Sequence, residues 1–255
     1  MTGKLINSER LISFGSPLLI VLLWEISARA GWIDVRFFPA PSSIYYKFVE
    51  LLQSGEVIRH TLVTCRRLFY GFIVGGIPAL LLGIIAGLYR PVYLVFNPLV
   101  SATYPIPKSA IYPLILLLLG LGEASKVAMV AMGVFYPVFM NAESGVGNIQ
   151  RIYLDVGQNY RANRWQIIRT IALPGALPAI LAGVKLGLGL GLILISIAEM
   201  IGSNDGIGFM IWDAWQTLSV ETMFVGLVIV AIIGFLLSLL ADELERALVP
   251  WKERR

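Results

Sequence analysis

Long apolar blocks alternate with short polar links, and the blocks are long enough to be helices that cross a bilayer. Residues 11–24 carry no charge, and apolar character runs on past Glu25 to Ala30. Residues 68–89 form a second uncharged block, bracketed by Arg66, Arg67 and Arg90. Residues 91–122 are apolar but broken by Pro98, Pro105, Pro107 and Pro113. That pattern predicts a third span that bends or unwinds near 104–108, which is tolerated at membrane depth only where the backbone is buried or lines a cavity. Residues 127–142, 174–200 and 222–241 supply three more blocks, the middle one interrupted by Lys185. The chain is thus expected to be an all-α polytopic membrane protein with six transmembrane helices.

Between the blocks, Phe38-Pro39-Ala40-Pro41-Ser42-Ser43 reads as a turn into a short amphipathic helix with Ile44, Phe48, Leu51 and Leu52 on one face, lying at the outer surface. Residues 201–221 read as a polar loop rich in Gly, Asp and Trp. Glycines recur four apart at Gly71/Gly75, Gly83/Gly87 and Gly183/Gly187/Gly191, a spacing that lets helix backbones approach closely. The longest polar stretch, Asp155 to Pro174, holds Arg161, Arg164 and Arg169 against one acid and predicts an amphipathic segment on the cytoplasmic side. Lys and Arg are biased toward the links that share a side with the two ends, which places both termini in the cytoplasm. The organisation expected is a first helix with an outer amphipathic segment (1–60), a core (61–250) carrying a cytoplasmic segment (143–173), and a short tail (251–255).

Composition fits this reading. The 255 residues are 57% hydrophobic and 14% charged, where soluble domains are nearer a quarter charged. The first apolar run lacks a small-residue cleavage site and reads as a retained helix. The net charge of +4 is spread over separate links, which suits lipid contact and argues against nucleic acid. Cys65 is the only cysteine and His60 the only histidine, leaving little for a metal site or a Cys/His nucleophile pair. No GxxxxGK[ST] appears, so nucleotide hydrolysis must come from another chain.

The remaining chemistry is ionisable groups at membrane depth: Lys108, Lys185 and Glu199. Such groups are costly there and face an interior or a cavity, unless they snorkel or pair with a neighbour. Both readings stand for Lys185 and Glu199. Lys108 follows Pro105 and Pro107, and a broken helix with a cation suits an anionic solute. Tyr104, Tyr112 and Tyr136 lie in or beside broken helix, as path-lining rings or as packing.

The stretch from Asp155 carries a family signature. It resembles the coupling loop of permease subunits of bacterial ABC importers, whose pattern is E-A-A, three residues, G, nine residues, I-x-L-P. Asp155, Val156 and Gly157 stand at E-A-A, and Ile171, Leu173 and Pro174 match the end. Arg164-Trp165-Gln166 is similar to the common RWQ of the family. Arg161 stands where the family has a glycine that allows a tight turn, so the form of that turn is open. Tyr104 to Pro113, Gly120 to Lys126 and Ala198-Glu-Met-Ile-Gly202 resemble the nitrate/sulfonate/taurine branch, much of which riboflavin and thiamine-precursor permeases share.

The resemblance implies a type I ABC importer permease fold in the bacterial inner membrane. It implies a second permease copy, a cytoplasmic ATPase dimer that binds ATP and Mg, and a periplasmic or lipid-anchored substrate-binding protein. Asp155, Val156, Gly157, Asn159, Tyr160, Arg161, Ala162, Arg164 and Trp165 would couple to the ATPase. Tyr104, Pro105, Pro107, Lys108, Tyr112, Lys185 and Glu199 would belong to the solute path. The expected cargo is a small anion, with a vitamin or its precursor as the alternative. A secondary transporter, the rival class, would need internal repeats that the sequence does not show.

Overall fold

The computed structural model describes residues 2–251, leaving aside the side chains of residues 2–14 and of Leu154. Among the described residues it is all helical: α1 (Thr2–Arg29), α2 (Pro41–Gln53), α3 (Glu56–Leu88), α4 (Arg90–Thr103), α5 (Lys108–Leu119), α6 (Glu123–Gly147), α7 (Arg151–Asn159), α8 (Arg164–Ile167), a π-helical turn (Ile168–Ala172), α9 (Leu173–Gly202), α10 (Ile207–Gln216) and α11 (Val220–Leu248). The local chemistry accounts for many of the ends. Pro41, Pro91 and Pro174 sit in first turns, where the missing N–H costs nothing. Glu56 and Glu123 oppose the positive ends of α3 and α6.

Four long helical stretches among the described residues are apolar enough to cross a membrane: α3, α6, the rod Arg164–Gly202, and α11. The α4–α5 pair is apolar enough only when taken together and is bent by 100°, the form of a broken span or a re-entrant loop. The break falls at 104–107, where Pro105 and Pro107 lack the N–H groups a continuing helix needs. The first expected span lies within α1, part of whose side chains fall outside the described set.

The elements depart from expectation in two places. Residues 207–216 of the expected 201–221 loop form α10, whose Ile207, Met210, Ile211 and Ala214 are buried at helical spacing. Its Trp and Asp residues made the stretch look polar, yet one face is core. Secondly, α3 begins at Glu56, so Arg66 and Arg67 lie inside the helix instead of bracketing it. In α2, Ile44 and Leu51 are buried as expected, whereas Leu52 is 40% exposed.

α6 is the central rod, packed on one side by α3 and on the other by α9. Glycines set these distances. A Cβ on Gly75 would lie 2.2 Å from the Ala131 carbonyl oxygen, and one on Gly183 would lie 2.8 Å from that of Pro137. The helix backbones therefore touch, as the glycine spacing predicts. Val130, Val134, Val138 and Phe139 of α6 complete the seam, with α10 and α11 closing the same core.

Candidate functional site

The elbow between α6 and α9 is built from short pieces, where one amphipathic segment was expected from Asp155 to Pro174. α7 ends at Asn159, and the chain turns through a residue with left-handed backbone, Arg161 at φ 52°. The N–H of Ala162 donates to Gly157 O at 2.9 Å, and that of Arg161 to Gln158 O at 2.8 Å. This is the paired-bond helix stop that normally places glycine where Arg161 stands. α8 restarts in a reciprocal cap, with the Gln166 N–H donating to Asn163 Oδ1 at 2.9 Å and the Asn163 N–H to Gln166 Oε1 at 2.7 Å.

Gly157 is buried because α7 folds back on the π-helical turn: a Cβ there would lie 2.8 Å from Ile171 Cδ1. The other named residues of the elbow point outward. Tyr160 is 84% exposed, Trp165 67% and Val156 47%. Asp155, Asn159, Arg161 and Arg164 are exposed too, and Ala162 is half-buried. The Arg164 guanidinium lies 5.8 Å from the Tyr89 ring, joining the elbow to the α3–α4 corner. The elbow thus leaves the Tyr160 and Trp165 rings bare on a capped turn.

At the broken span, Lys108 opens α5 and reaches back over the break. Its Nζ donates to Thr103 O (2.8 Å), Tyr104 O (3.0 Å) and Ile106 O (2.9 Å). These occupy all three ammonium donors. The same nitrogen lies 4.1 Å from the Tyr136 ring centroid and 5.9 Å from that of Tyr104. Lys108 thus caps carbonyls at the break, among them that of Thr103, whose helical partner would be the nitrogen of Pro107. No carboxylate among the described residues pairs with it, so its charge stays uncompensated. Tyr104, Pro105 and Pro107 are exposed around it.

The other candidate path residues are not gathered there. Tyr112 is fully buried and its hydroxyl donates to Ala198 O at 3.0 Å, which places it in the packing of α5 on α9. Lys185 pairs with Asp242 of α11 at 2.6 Å, both side chains being part-exposed. Glu199, with no exposed surface, accepts from Arg67 Nη1 at 2.9 Å.

Residues 79–254 match the family described as binding-protein-dependent transport system inner membrane component. A protein of Bacillus subtilis named as an aliphatic sulfonates transport permease, SsuC, is 33% identical over 92% of this chain and 86% of its own length. The chain belongs to this family of inner membrane transport components. The taurine transport system permease protein TauC of Escherichia coli is 30% identical over 94% of the permease and 89% of its own length. The riboflavin transport system permease protein RibX of Chloroflexus aurantiacus is 32% identical over 94% and 91%. A solved chain of the MetNI methionine ABC transporter shares the fold at TM-score 0.66 and 19% identity, covering 77% of the permease and 97% of that chain.

The end of the permease away from the elbow holds a network that sequence reading missed. Arg67 is 1% exposed and contacts Glu123, Glu199 and Asp205, from elements 56, 132 and 138 residues away. Burial pushes the Asp205 carboxyl up, but the hydrogen bond and charge of Arg67 outweigh it and hold the group below the usual carboxylate range. The signal available in the sequence was Arg67 itself, a charge opening an apolar block. Its partners lie too far along the chain for any spacing rule to find.

Proposed function

We propose that this permease forms the path of an ATP-driven importer for a small anion of the sulfonate kind. Two copies would enclose the path, with an ATPase dimer, binding ATP and Mg, seated on the elbow and an extracytoplasmic binding protein delivering solute at the opposite end. The chain itself then needs no catalytic site. The bias of Lys and Arg toward the elbow side supports placing the elbow and both termini in the cytoplasm, with membrane lipid around the bundle.

Lys108 carries the anion reading. An uncompensated ammonium at a break in a membrane span, beside exposed backbone and two tyrosine rings, gives a positive potential with no carboxylate to cancel it. Its donors are already used on carbonyls, so it attracts an anion by field and not by a fixed hydrogen bond. That suits a path, which must release what it passes. The sulfonate and taurine names of the relatives at 33% and 30% identity point the same way.

A second reading, a vitamin permease, draws on the riboflavin relative and on the Tyr104 and Tyr136 rings, 5.7 Å apart at the break. The test is ATP hydrolysis by the reconstituted complex with its binding protein, across taurine, alkanesulfonates, nitrate and riboflavin. Stimulation by a sulfonate supports the proposal; stimulation by riboflavin alone replaces it with the second reading.

A further inference from the structure

Building on the importer reading, the opposite end of the bundle offers a second feature. A recess of about 560 Å³ opens between the α5–α6 turn and α10, walled by Glu123, Lys126, Asp205, Trp212 and Gln216. Arg67 lines it while almost wholly buried. Its Nε donates to both Glu123 oxygens, Nη1 to Glu199 Oε1 and the Asp205 carbonyl, and Nη2 to Glu123 Oε1 and Asp205 Oδ1. A guanidinium has five N–H groups. All are spoken for, so the recess offers an incoming anion no free donor from Arg67.

The network instead joins separate elements. Glu199 of α9 accepts from Thr64 Oγ1 (2.9 and 3.0 Å), Arg67 Nη1 (2.9 Å) and the Gly208 N–H (3.0 Å). The Ile207 N–H donates to Thr64 Oγ1 at 2.9 Å, and the Gly206 N–H to His60 Nδ1 at 3.0 Å. Gly206 is at φ 101°, and a Cβ there would lie 2.2 Å from the Glu199 carboxyl carbon, so only glycine lets this loop rest on the carboxylate. A buried ion pair is a poor way to gain stability alone, since apolar replacements often do as well. This one is also open at one side: the Glu123 and Asp205 side chains are 51% and 40% exposed. At its other side it grips α9, which runs on through the π-helical turn into the elbow about 45 Å away, at 1.5 Å per residue.

We propose that Arg67 and Glu199 are positioning residues for transport, fixing loop 203–206 and the start of α10 to α9 so that binding-protein contact at the recess and movement of the elbow become one event. The coupling is reciprocal, as any linkage between two sites must be.

The test uses the full complex in proteoliposomes, its binding protein loaded in turn with taurine, methanesulfonate and riboflavin. Glu199→Gln and Thr64→Val should assemble with the ATPase and keep basal hydrolysis within twofold of wild type. Stimulation by the loaded binding protein, and uptake, should fall at least tenfold. Thr64→Ser, which keeps the hydroxyl, should retain both. Asp205→Asn, at the exposed edge, keeps an oxygen for Arg67 and should give the same split. Normal stimulation in folded Asp205→Asn and Glu199→Gln overturns the proposal, as does a parallel loss of basal and stimulated rates. A wild-type complex that no loaded binding protein stimulates overturns the importer reading, and this inference with it.

Discussion

Arg161→Gly should make the elbow more stable, although it removes a large charged residue from the segment that resembles a coupling loop. Arg161 holds φ 52°, and its turn is closed by the Ala162–Gly157 and Arg161–Gln158 bonds. The left-handed backbone costs an L-residue about 1–2 kcal/mol. Glycine removes that cost and returns about 0.5–1 kcal/mol through its freer unfolded chain. The net gain is about 0.5–1 kcal/mol, or roughly a two- to fivefold slowing of local opening. Amide hydrogen exchange over residues 155–166 of the assembled permease reads this directly. Arg161→Ala is the control, because it removes the guanidinium and keeps the strain. ATPase co-purification separates the roles: if both variants lose the partner, Arg161 contacts it; if neither does, the arginine is only a tolerated residue in a glycine position. Faster exchange in Arg161→Gly than in wild type would refute the strain argument.

Leu218, at φ 55° and 83% exposed, ends α10 by the same pair of bonds, with the Ser219 N–H on Ala214 O at 2.8 Å. Leu218→Gly should therefore bring a similar gain of about 0.5–1 kcal/mol, seen as slower exchange at the α10–α11 turn. Gly75→Val drives a side chain into the Ala131 backbone and should cost at least about 1–3 kcal/mol; an unchanged melting temperature would contradict the α3–α6 contact. Tyr160→Asp places a charge on the most exposed ring of the elbow, and should abolish ATPase co-purification without reducing membrane insertion. Lys108→Met uncaps three carbonyls and removes the charge, so maximal uptake should fall more than apparent affinity, while Lys108→Arg retains part of the activity; normal uptake by Lys108→Met would leave the lysine a structural pin.

The parts of the fold that were legible are those where one local rule decides. Pro105 and Pro107 placed the break because a missing N–H acts within a turn of helix, and α4 ends at Thr103. The glycine rows placed the close contacts because four-residue spacing puts them on one face. α10 was missed because a helix buried on one face and bearing Trp212, Asp213 and Trp215 mixes signals within ten residues. The elbow was placed from Asp155 to Pro174 but not shaped, since its turn depends on an arginine in a conformation that favours glycine. Of the Arg67 network, only Glu199 was legible, as a membrane-depth carboxylate that needs an interior or a partner; the partner was not. Charges at block edges usually face water, and only the tertiary fold brings Glu123, Glu199 and Asp205 to this one.

Helix length carries a consequence for the lipid. α3 has 33 residues and the Arg164–Gly202 rod has 39, about 50 and 58 Å at 1.5 Å each, against a hydrocarbon layer of about 30 Å. These rods are longer than the layer, so they meet a change of thickness by tilting or by shifting how much of each end lies outside it. α4 and α5, with 14 and 12 residues, reach only about 21 and 18 Å. Neither crosses alone, and the 100° bend between them sets how much of the layer they cover together. The bent pair has a further way to meet such a change, by opening or closing at the hinge beside Lys108, so acyl-chain length becomes a variable that bears on the break itself.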